Sequence, residues 1–253
     1  MIVGLVSIIG AMIFKHISFS VFLNPAALCV IFLGTVACVM NSFTGREMRK
    51  LGVLFKIIFS KDTDSNKVEL VNRIVNIAET ARREGLLALE GKAGEIEDSF
   101  FRKGLQLIVD GSDVEYVREV LYLEMEAMEE RHNLNASMFT SAGTYAPTLG
   151  VMGAVFGLIA AMSYIDNTAY MANAIAAAFI ATILGIFTGY VMWNPFATKL
   201  KVKTKHELVE KNMIVEGLVA LQKGESPILI KEKLMSFLTT EERKQFERES
   251  TQL

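Results

Sequence analysis

The residues between positions 133 and 198 that could do chemistry carry hydroxyl groups for the most part. Between His132 and Lys199 the only formally charged residue is Asp166. Hydroxyl groups donate and accept hydrogen bonds, but none of them gains or loses a proton near neutral pH. The main polar side chains of the stretch are Thr144, Tyr145, Thr148, Thr182, Thr188 and Tyr190. An ion path here would therefore need an ionisable group from outside this stretch.

Other kinds of site are not indicated. His16, His132 and His206 lack the spacing of metal ligands. Cys29 and Cys38 have no histidine near them in sequence, and their apolar surroundings favour buried thiols over a disulfide. We expect no enzyme activity, no metal and no other cofactor. The net charge of −2 gives no indication of nucleic-acid binding.

Asp166 predicts a hairpin between two membrane-crossing helices. On either side of it lie roughly thirty uncharged residues, enough to cross a hydrocarbon core of about 30 Å. Small residues recur there every three or four positions, which lets helices approach closely in lipid. The glycines of this pattern are Gly150, Gly153, Gly157, Gly185 and Gly189. No preceding strand or Lys-Ser/Thr pair accompanies them, so helix packing is favoured over a phosphate loop.

The charged residues divide the whole chain into blocks. Of the 54 charged residues, 32 lie between Gly45 and His132 and 20 lie from Lys199 onward, leaving Lys15 and Asp166. This pattern predicts an all-α integral membrane protein with four transmembrane helices and a helical cytoplasmic domain. The expected segments are a first span at 1–19, an external hairpin and second span at 20–44, a cytoplasmic helical domain at 45–140, a third span at 141–165, an external hairpin and fourth span at 166–195, and a cytoplasmic helical tail at 196–253.

Basic residues beside the spans predict their orientation. Arg46, Arg49, Lys50 and Lys56 follow the second span, Arg131 precedes the third, and Lys199, Lys201, Lys203 and Lys205 follow the fourth. By the positive-inside rule, both charged blocks and both termini are cytoplasmic.

Local signals mark helix ends within the charged blocks. Ser112 with Glu115 predicts one capping box and Thr239 with Glu242 another. Gly224 predicts a helix end, and Ser226-Pro227 predicts the next start. Two apolar faces at helical spacing predict packed helices, Leu70-Ile74-Ile77-Ala81 and Val117-Leu121-Met125-Met128.

Two prolines and a threonine in the spans leave two interpretations open. Pro147 and Pro195 lie near the expected cytoplasmic boundary, where a proline either kinks a helix or simply ends it. Thr182 lies in the middle of its span, and its hydroxyl either faces a pore or bonds back to its own helix.

Three motifs in the spans resemble the MotA family of flagellar stator subunits. They are residues 146–153 (APTLGVMG), residues 178–186 (AFIATILGI) and residues 194–197 (NPFA). The cytoplasmic segment 81–90 (ARREGLLALE) and the order of spans and loops also resemble this family. The resemblance covers essentially the whole chain.

The resemblance implies roles that residue patterns alone do not give. It implies that Arg82 and Glu90 contact the rotor protein FliG, that Pro147 and Pro195 couple ion flow to torque, and that Thr182 lines the ion path. With Thr182 we place Thr148 in the expected ion path. Sodium-driven relatives carry a second threonine at the position of Ala154, so Ala154 favours protons over sodium.

The resemblance also implies partners and a location. A MotB partner supplies the membrane aspartate, and a MotA ring, a pentamer, surrounds two MotB helices in the lipid of the bacterial inner membrane. Sequential protonation of the two aspartates would rotate the ring. One alternative is an energiser of the ExbB or TolQ kind, acting on envelope transport. Another is a membrane enzyme or scaffold whose spans only anchor the cytoplasmic helices.

Overall fold

The computed structural model describes residues 24–60 and 67–251, together with Val6, Gly10, Ile13 and Phe14. No strand occurs among these residues, so the all-α prediction is confirmed for this part of the chain. The α-helices are α1 (Pro25–Leu28), α2 (Gly34–Ser42), α3 (Gly45–Met48), α4 (Leu51–Phe59), α5 (Lys67–Glu84), α6 (Leu89–Glu95), α7 (Ser99–Val109), α8 (Val114–Ser163), α9 (Thr168–Phe187), α10 (Asn194–Gln222), α11 (Pro227–Met235) and α12 (Thr240–Thr251). Cys29–Leu33 and Thr188–Trp193 are π-helical, and Leu86–Ala88 is a 3₁₀ turn.

Three helical stretches of the described part are long and apolar enough to cross a membrane. They are Pro25–Ser42, Val114–Ser163 and Thr168–Gln222. The span expected at 1–19 lies outside the described residues, apart from the four named above. The count of four spans therefore stays a prediction.

Helices α8 and α9 meet at a short turn. Helix α8 ends at Ser163 and α9 begins at Thr168, with Asp166 between them. The side chain of Asn167 accepts a hydrogen bond from the Tyr170 N–H at 3.0 Å and so caps α9. The turn thus lies where the sequence predicts the hairpin.

The chain divides into two compact units. The first comprises Met1–Ser60 and His132–Val202, and the second comprises Lys61–Arg131 and Lys203–Leu253. These limits differ from the expected segment boundaries at 44/45, 140/141 and 195/196. Residues 45–60 pack with the apolar spans, and α8 passes position 140 without interruption.

An aromatic cluster holds α4 in the first unit. It consists of Phe55, Phe139, Trp193 and Phe196, with ring centroids 5.4 Å apart for Phe55 and Phe139 and 6.1 Å for Phe55 and Phe196. Most pairs of these rings meet edge to face, the arrangement that the ring quadrupoles favour. One side of α4 thereby packs against α8 and α10.

The second unit has an ordinary apolar core. Leu105 of α7, Leu121 of α8 and Leu218 of α10 are fully buried in it. Of the apolar face predicted on α5, Ile74 and Ile77 are buried, while Leu70 and Ala81 are partly buried at its margin. On α8, the predicted residues Val117, Leu121 and Met125 are buried.

The predicted cap at Ser112 is wrong. Gly111 ends α7 with φ of +78°, and the Ser112 N–H donates to the Leu107 carbonyl at 3.0 Å. Ser112 therefore closes the preceding helix, and the Asp113 carboxylate accepts from the Glu115 N–H at 3.0 Å instead. The other predicted helix signals, at Gly224, at Ser226-Pro227 and at Thr239 with Glu242, are present.

An ion pair ties α7 to α10 inside the second unit. The Asp98 carboxylate accepts from the Phe101 N–H at 2.8 Å and from Lys211 Nζ at 2.7 Å. Burial acts to raise the pKa of Asp98, but the hydrogen bonds from Lys211 and Phe101 outweigh it, so the pKa lies below its ordinary value of 3.8. The charged form of Asp98 is thus part of the folded unit.

Candidate functional site

Helices α8 and α9 touch backbone to backbone. A Cβ atom added to Gly150 would stand 2.8 Å from the Ala181 carbonyl oxygen, and one added to Gly185 would stand 2.8 Å from the Ala146 carbonyl oxygen. Such separations leave room for a hydrogen atom only. The small residues are therefore what allows the two helices to approach this closely.

The same contact continues toward both ends of the helix pair. A Cβ atom on Gly157 would stand 3.0 Å from the Ala174 carbonyl oxygen. At the other end, one on Gly189 would stand 2.6 Å from the ring of Pro147. The glycines picked out by the sequence pattern thus lie along one continuous line of contact.

Neither proline of the spans ends a helix. Pro147 lies inside α8, where its ring leaves the Gly143 carbonyl without its usual helical donor. Pro195 is the second residue of α10, and only Asn194 separates it from the π-helical turn Thr188–Trp193. In an α-helix the N–H of residue 195 would donate to the Val191 carbonyl, and proline has no N–H. The wider π-helical turn accommodates this missing hydrogen bond.

Threonine hydroxyl groups of the spans bond back to their own helices. Thr182 Oγ1 donates to the Ala178 carbonyl at 3.3 Å, and Thr148 Oγ1 donates to the Thr144 carbonyl at 3.2 Å. This is the ordinary role of a threonine inside a helix. Each hydroxyl oxygen keeps lone pairs that can accept a further hydrogen bond.

Residues 25–42 cover one side of the α8–α9 pair. Leu149 of α8 packs over Gly34, whose added Cβ would lie 3.0 Å from the leucine side chain. Val30 lies 3.9 Å from the corresponding position on Gly153. A cavity of about 360 Å³ lies on this covered side, with Ala27, Phe156 and Asn173 in its lining.

Ala154 and Thr182 lie on the opposite side of the pair. Ala154 follows Gly150 by four positions, and Thr182 follows by four positions Ala178, whose Cβ would lie 2.8 Å from a Cβ added to Gly157. Each of the two is therefore turned by about 40° around its helix from the contact line. In two antiparallel helices this turn brings both residues to the same side. Large apolar side chains beside them are exposed within the chain: Val151, Leu158, Phe179, Ile186 and Tyr190. We call this surface, with Ala154 and Thr182, the open face.

Thr148 does not lie on the open face. It precedes Gly150 by two positions, which places it about 160° around α8 from the contact line, and it is exposed there. Ala154 and Thr182 therefore share one side of the helix pair, and Thr148 lies apart from them.

Arg82 and Glu90 flank a tight connection in the second unit. Gly85, with φ of +87°, ends α5, and the 3₁₀ turn Leu86–Ala88 leads into α6. Both charged side chains are exposed. Arg82 lies in the last turn of α5 and Glu90 in the first turn of α6, the ends at which the helix dipole favours each charge.

Two contacts fix α6 and therefore Glu90. Leu89 is fully buried, and Lys92 Nζ donates to Thr80 Oγ1 of α5 at 2.9 Å. Leu87 between the two charges is 76% exposed. The connection thus presents an apolar side chain between a cation and an anion.

Sequence reasoning missed the π-helical turn and the sidedness of the spans. Pro195 was the available signal for the turn, because the loss of its N–H must be absorbed one turn earlier. The open face carries no such signal, because it depends on where residues 25–42 pack. Within the described residues, no cluster of three or more His, Cys, Asp or Glu side chains could hold a metal ion.

Comparison with known proteins places these features in a family. The model of the MotA/TolQ/ExbB proton channel family matches residues 92–213. Motility protein A of Bacillus subtilis is 45% identical over 245 residues, which covers 97% of this chain and 91% of that protein.

Two solved structures are similar over nearly the whole chain. The flagellar MotAB stator complex from Bacillus subtilis superposes with a TM-score of 0.91 at 45% identity, covering 97% of this chain and 96% of that one. MotAB of C. jejuni superposes with a TM-score of 0.89 at 30% identity, covering 95% and 94%.

Proposed function

The chain belongs to the MotA/TolQ/ExbB proton channel family, and from that membership we propose how this flagellar motor stator subunit moves ions and delivers torque. It works in a complex with a MotB-type partner in the bacterial inner membrane. Its spans form a ring, a pentamer, around two membrane helices of that partner. Both termini lie in the cytoplasm, as the basic residues beside the spans indicate.

The open face supports the position of the partner helix. It is an apolar surface in the spans that the rest of the described chain leaves uncovered, and Thr182 lies within it. Residues 133–198 contain no ionisable acid except Asp166, which lies in the turn after α8. The carboxylate of the path therefore comes from the partner, and the open face surrounds it.

Protonation of that carboxylate is the step that drives movement. An ionised acid at the bilayer centre costs about 2.5–3.5 kcal/mol on insertion scales, and protonation removes this cost. The Thr182 hydroxyl can accept a hydrogen bond from the protonated acid while it still donates to Ala178. The two states of the acid thus favour different packing against the open face, and alternating protonation at two partner helices turns the ring.

Ala154 makes protons the transported ion. It lies on the same side as Thr182, and its methyl group supplies no oxygen. A sodium ion that leaves water needs several oxygen ligands in exchange. One threonine hydroxyl beside a carboxylate suffices for a proton and is a poor replacement for that shell.

Arg82 and Glu90 carry the torque to FliG. Both are exposed on a connection that Gly85, Leu89 and Lys92 hold in one conformation. Exposed charges contribute little to the stability of the unit, so they are available to a partner of complementary charge. The hinge positions Pro147 and Pro195 transmit the movement of the spans, because each removes a backbone hydrogen bond from a long helix.

An energiser acting on envelope transport is less well supported. The relatives reported above are named Motility protein A or MotAB, and each matches at least 95% of this chain's length. Loss of swimming with normal flagella on deletion of this chain would separate the stator from the energiser, for which impaired siderophore or colicin uptake is expected.

Proton flux in vesicles tests the proposal directly. The vesicles carry this chain with a MotB-type partner whose plug has been removed, beside the same partner with its membrane aspartate changed to asparagine. We expect flux that needs both proteins and is lost with the aspartate. Flux of sodium but not of protons would contradict the role of Ala154, and flux of neither ion would contradict the shared channel.

Variants of this chain then locate the path. Thr182→Val keeps the shape of the side chain but removes the hydroxyl, and we expect it to reduce proton flux at least tenfold. Thr148→Val is the matched control, because Thr148 makes the same helical hydrogen bond away from the open face. Equal losses in the two variants would mean that Thr182 acts through the helix and not on the ion.

A further inference from the structure

The segment from Gly45 to Ser60 has a composition unlike the charged block that follows it. It contains four cations, Arg46, Arg49, Lys50 and Lys56, and a single acid, Glu47. Most of its other residues are large and apolar. Helices α3 and α4 make up this segment, and the two residues between them, Arg49 and Lys50, keep near-helical backbone angles.

The four cations share one side of this nearly continuous helix. Arg49, Lys50 and Lys56 follow Arg46 by three, four and ten positions. At helical spacing these positions lie on one face of the helix. Val53 and Ile57 lie on the same face, at seven and eleven positions. Arg46, Arg49 and Lys56 are exposed, and Val53 is 61% exposed. We call this surface the basic face.

The other side of the segment is already occupied. Leu54 and Ile58 are buried, and Phe55 packs in the aromatic cluster against Phe139 and Phe196. Trp193 also belongs to this cluster, with its ring centroid 6.4 Å from that of Phe55. The basic face is therefore presented outward by a helix that is fixed from behind.

The connection between α2 and Arg46 is too short for the basic face to lie far from the membrane. Helix α2 ends the span at Ser42, and only Phe43, Thr44 and Gly45 separate it from Arg46. Four residues reach about 14 Å at most. Each headgroup layer of a bilayer is about 5–7 Å thick, so Arg46 begins its helix within or just beyond that layer.

A surface of cations and apolar side chains at this depth fits one kind of partner. Apolar side chains such as Val53 and Ile57 insert between headgroups, while cations around them attract anionic lipids. A purely aqueous contact would leave the apolar groups in water, and a purely apolar contact would bury the charges. We propose that the basic face binds the headgroups of anionic phospholipids in the cytoplasmic leaflet and thereby anchors α4 and the aromatic cluster at the membrane surface.

Lipid binding to the purified complex tests this assignment. The complex of this chain with its MotB-type partner, in a neutral detergent, is titrated with dioctanoyl phosphatidylglycerol or with dioctanoyl phosphatidylcholine, and bound lipids are counted by native mass spectrometry. We expect tighter binding of phosphatidylglycerol. The variant Arg46→Gln, Arg49→Gln, Lys56→Gln should weaken it by about fivefold per cation, on the order of 100-fold in all.

A matched control separates the effect of the basic face on lipid binding from the effect of net charge. Lys223, Arg243 and Lys244 are exposed cations of the second unit, and their change to Gln removes the same charge. We expect this control to bind phosphatidylglycerol as the unchanged complex does. The fluorescence of Trp193, the only tryptophan of this chain, reports whether the aromatic cluster is intact in each variant. The conservative variant with Arg46→Lys and Arg49→Lys should keep the binding.

Three results would overturn the assignment. They are equal binding of the two lipids, an equal loss of binding in the control variant, and unchanged binding after the basic face is neutralised. Dissociation of the ring on neutralisation, seen in the same spectra, would assign the face to contacts between copies instead.

Discussion

The two units of the molecule use glycine against different kinds of neighbour. In the spans, Gly150, Gly157 and Gly185 face backbone carbonyl oxygens of the opposite helix. In the second unit, Gly104 faces the side-chain tips of Leu218 and Leu121. Backbone atoms cannot move without the whole helix, whereas a leucine tip can rotate. The distance between helices is thus set by the backbone in the spans and by side chains in the second unit.

The difference follows from the solvent of each unit. Burial of apolar side chains stabilises a unit that folds in water, so interdigitated leucines and isoleucines provide its stability. In lipid, apolar side chains are as well solvated outside the contact as inside it, and close van der Waals packing of backbones becomes the main source of helix association. The backbones of α8 and α9 accordingly meet along a line of small residues.

Gly185→Ala should have the largest effect. The added methyl group would lie 2.8 Å from the Ala146 carbonyl oxygen, and no rotation of a side chain can relieve that overlap. We expect at least a tenfold loss of assembled complex on size-exclusion chromatography and loss of swimming. Gly34→Ala is the control, because its methyl group would meet only the tip of Leu149, at 3.0 Å. Equal losses would contradict the backbone contact.

Gly104→Ala should have a smaller effect that a second change relieves. Its methyl group would lie 2.5 Å from Leu218 Cδ1 and 3.0 Å from Leu121 Cδ1. Overpacking of this kind costs about 1–3 kcal/mol. We expect a thermal midpoint several degrees lower, and partial recovery on adding Leu218→Val, which removes the clashing atom.

The matching double variant in the spans sharpens the comparison. Ala146→Gly cannot relieve Gly185→Ala, because the clash is with a main-chain oxygen that every residue at 146 carries. Rescue of swimming by Ala146→Gly would show that side chains set the helix distance in both units.

The sequence predicted the parts of the fold that depend on local signals. The turn that carries Asp166, the stop at Gly224 and the caps at Ser226 and Thr239 each depend on a few neighbouring residues, and each is present. The cap at Ser112 failed because a second local motif, the Gly111 helix end, uses the same residue. Competition between motifs is not visible in either motif alone.

The candidate site was less predictable because it depends on distant parts of the chain. Thr148 and Thr182 have the same side chain and the same helical hydrogen bond. Within the described part of the chain, the packing of residues 25–42 decides which side of the helix pair is covered. Helices α3 and α4 likewise join the spans because Phe55 meets residues from 139 and 196, far along the sequence.

The Asp98–Lys211 pair should give the second unit an acid-sensitive contact. The pKa of Asp98 is below its ordinary value of 3.8, so the pair stabilises the unit fully above that value and is lost as the pH falls through the lower folded value. Asp98 also caps α7, a role worth about 1 kcal/mol. We expect Asp98→Ala to lower the thermal midpoint by about 2–4 °C at pH 7.

The pH dependence separates the effect of the ion pair's charge from the effect of Lys211 packing. The difference in thermal midpoint between the unchanged complex and Lys211→Gln should narrow as the pH falls below 3.8, because a protonated Asp98 no longer pairs with the lysine. A difference that stays constant over this range would assign the effect of Lys211 to its packing on the Phe100 ring, 5.0 Å away.

Lys103→Gln should have the smallest effect. Lys103 Nζ lies 2.5 Å from Glu124 Oε2, shorter than the 2.7 Å of the Asp98–Lys211 pair, yet its side chain is 49% exposed against 13% for Lys211. Water solvates an exposed ion pair almost as well as the partners solvate each other, so such pairs contribute about 0–1 kcal/mol. We expect a midpoint change below about 2 °C, with little dependence on pH. A loss as large as that of Lys211→Gln would mean that distance, and not burial, decides what an ion pair contributes in this unit.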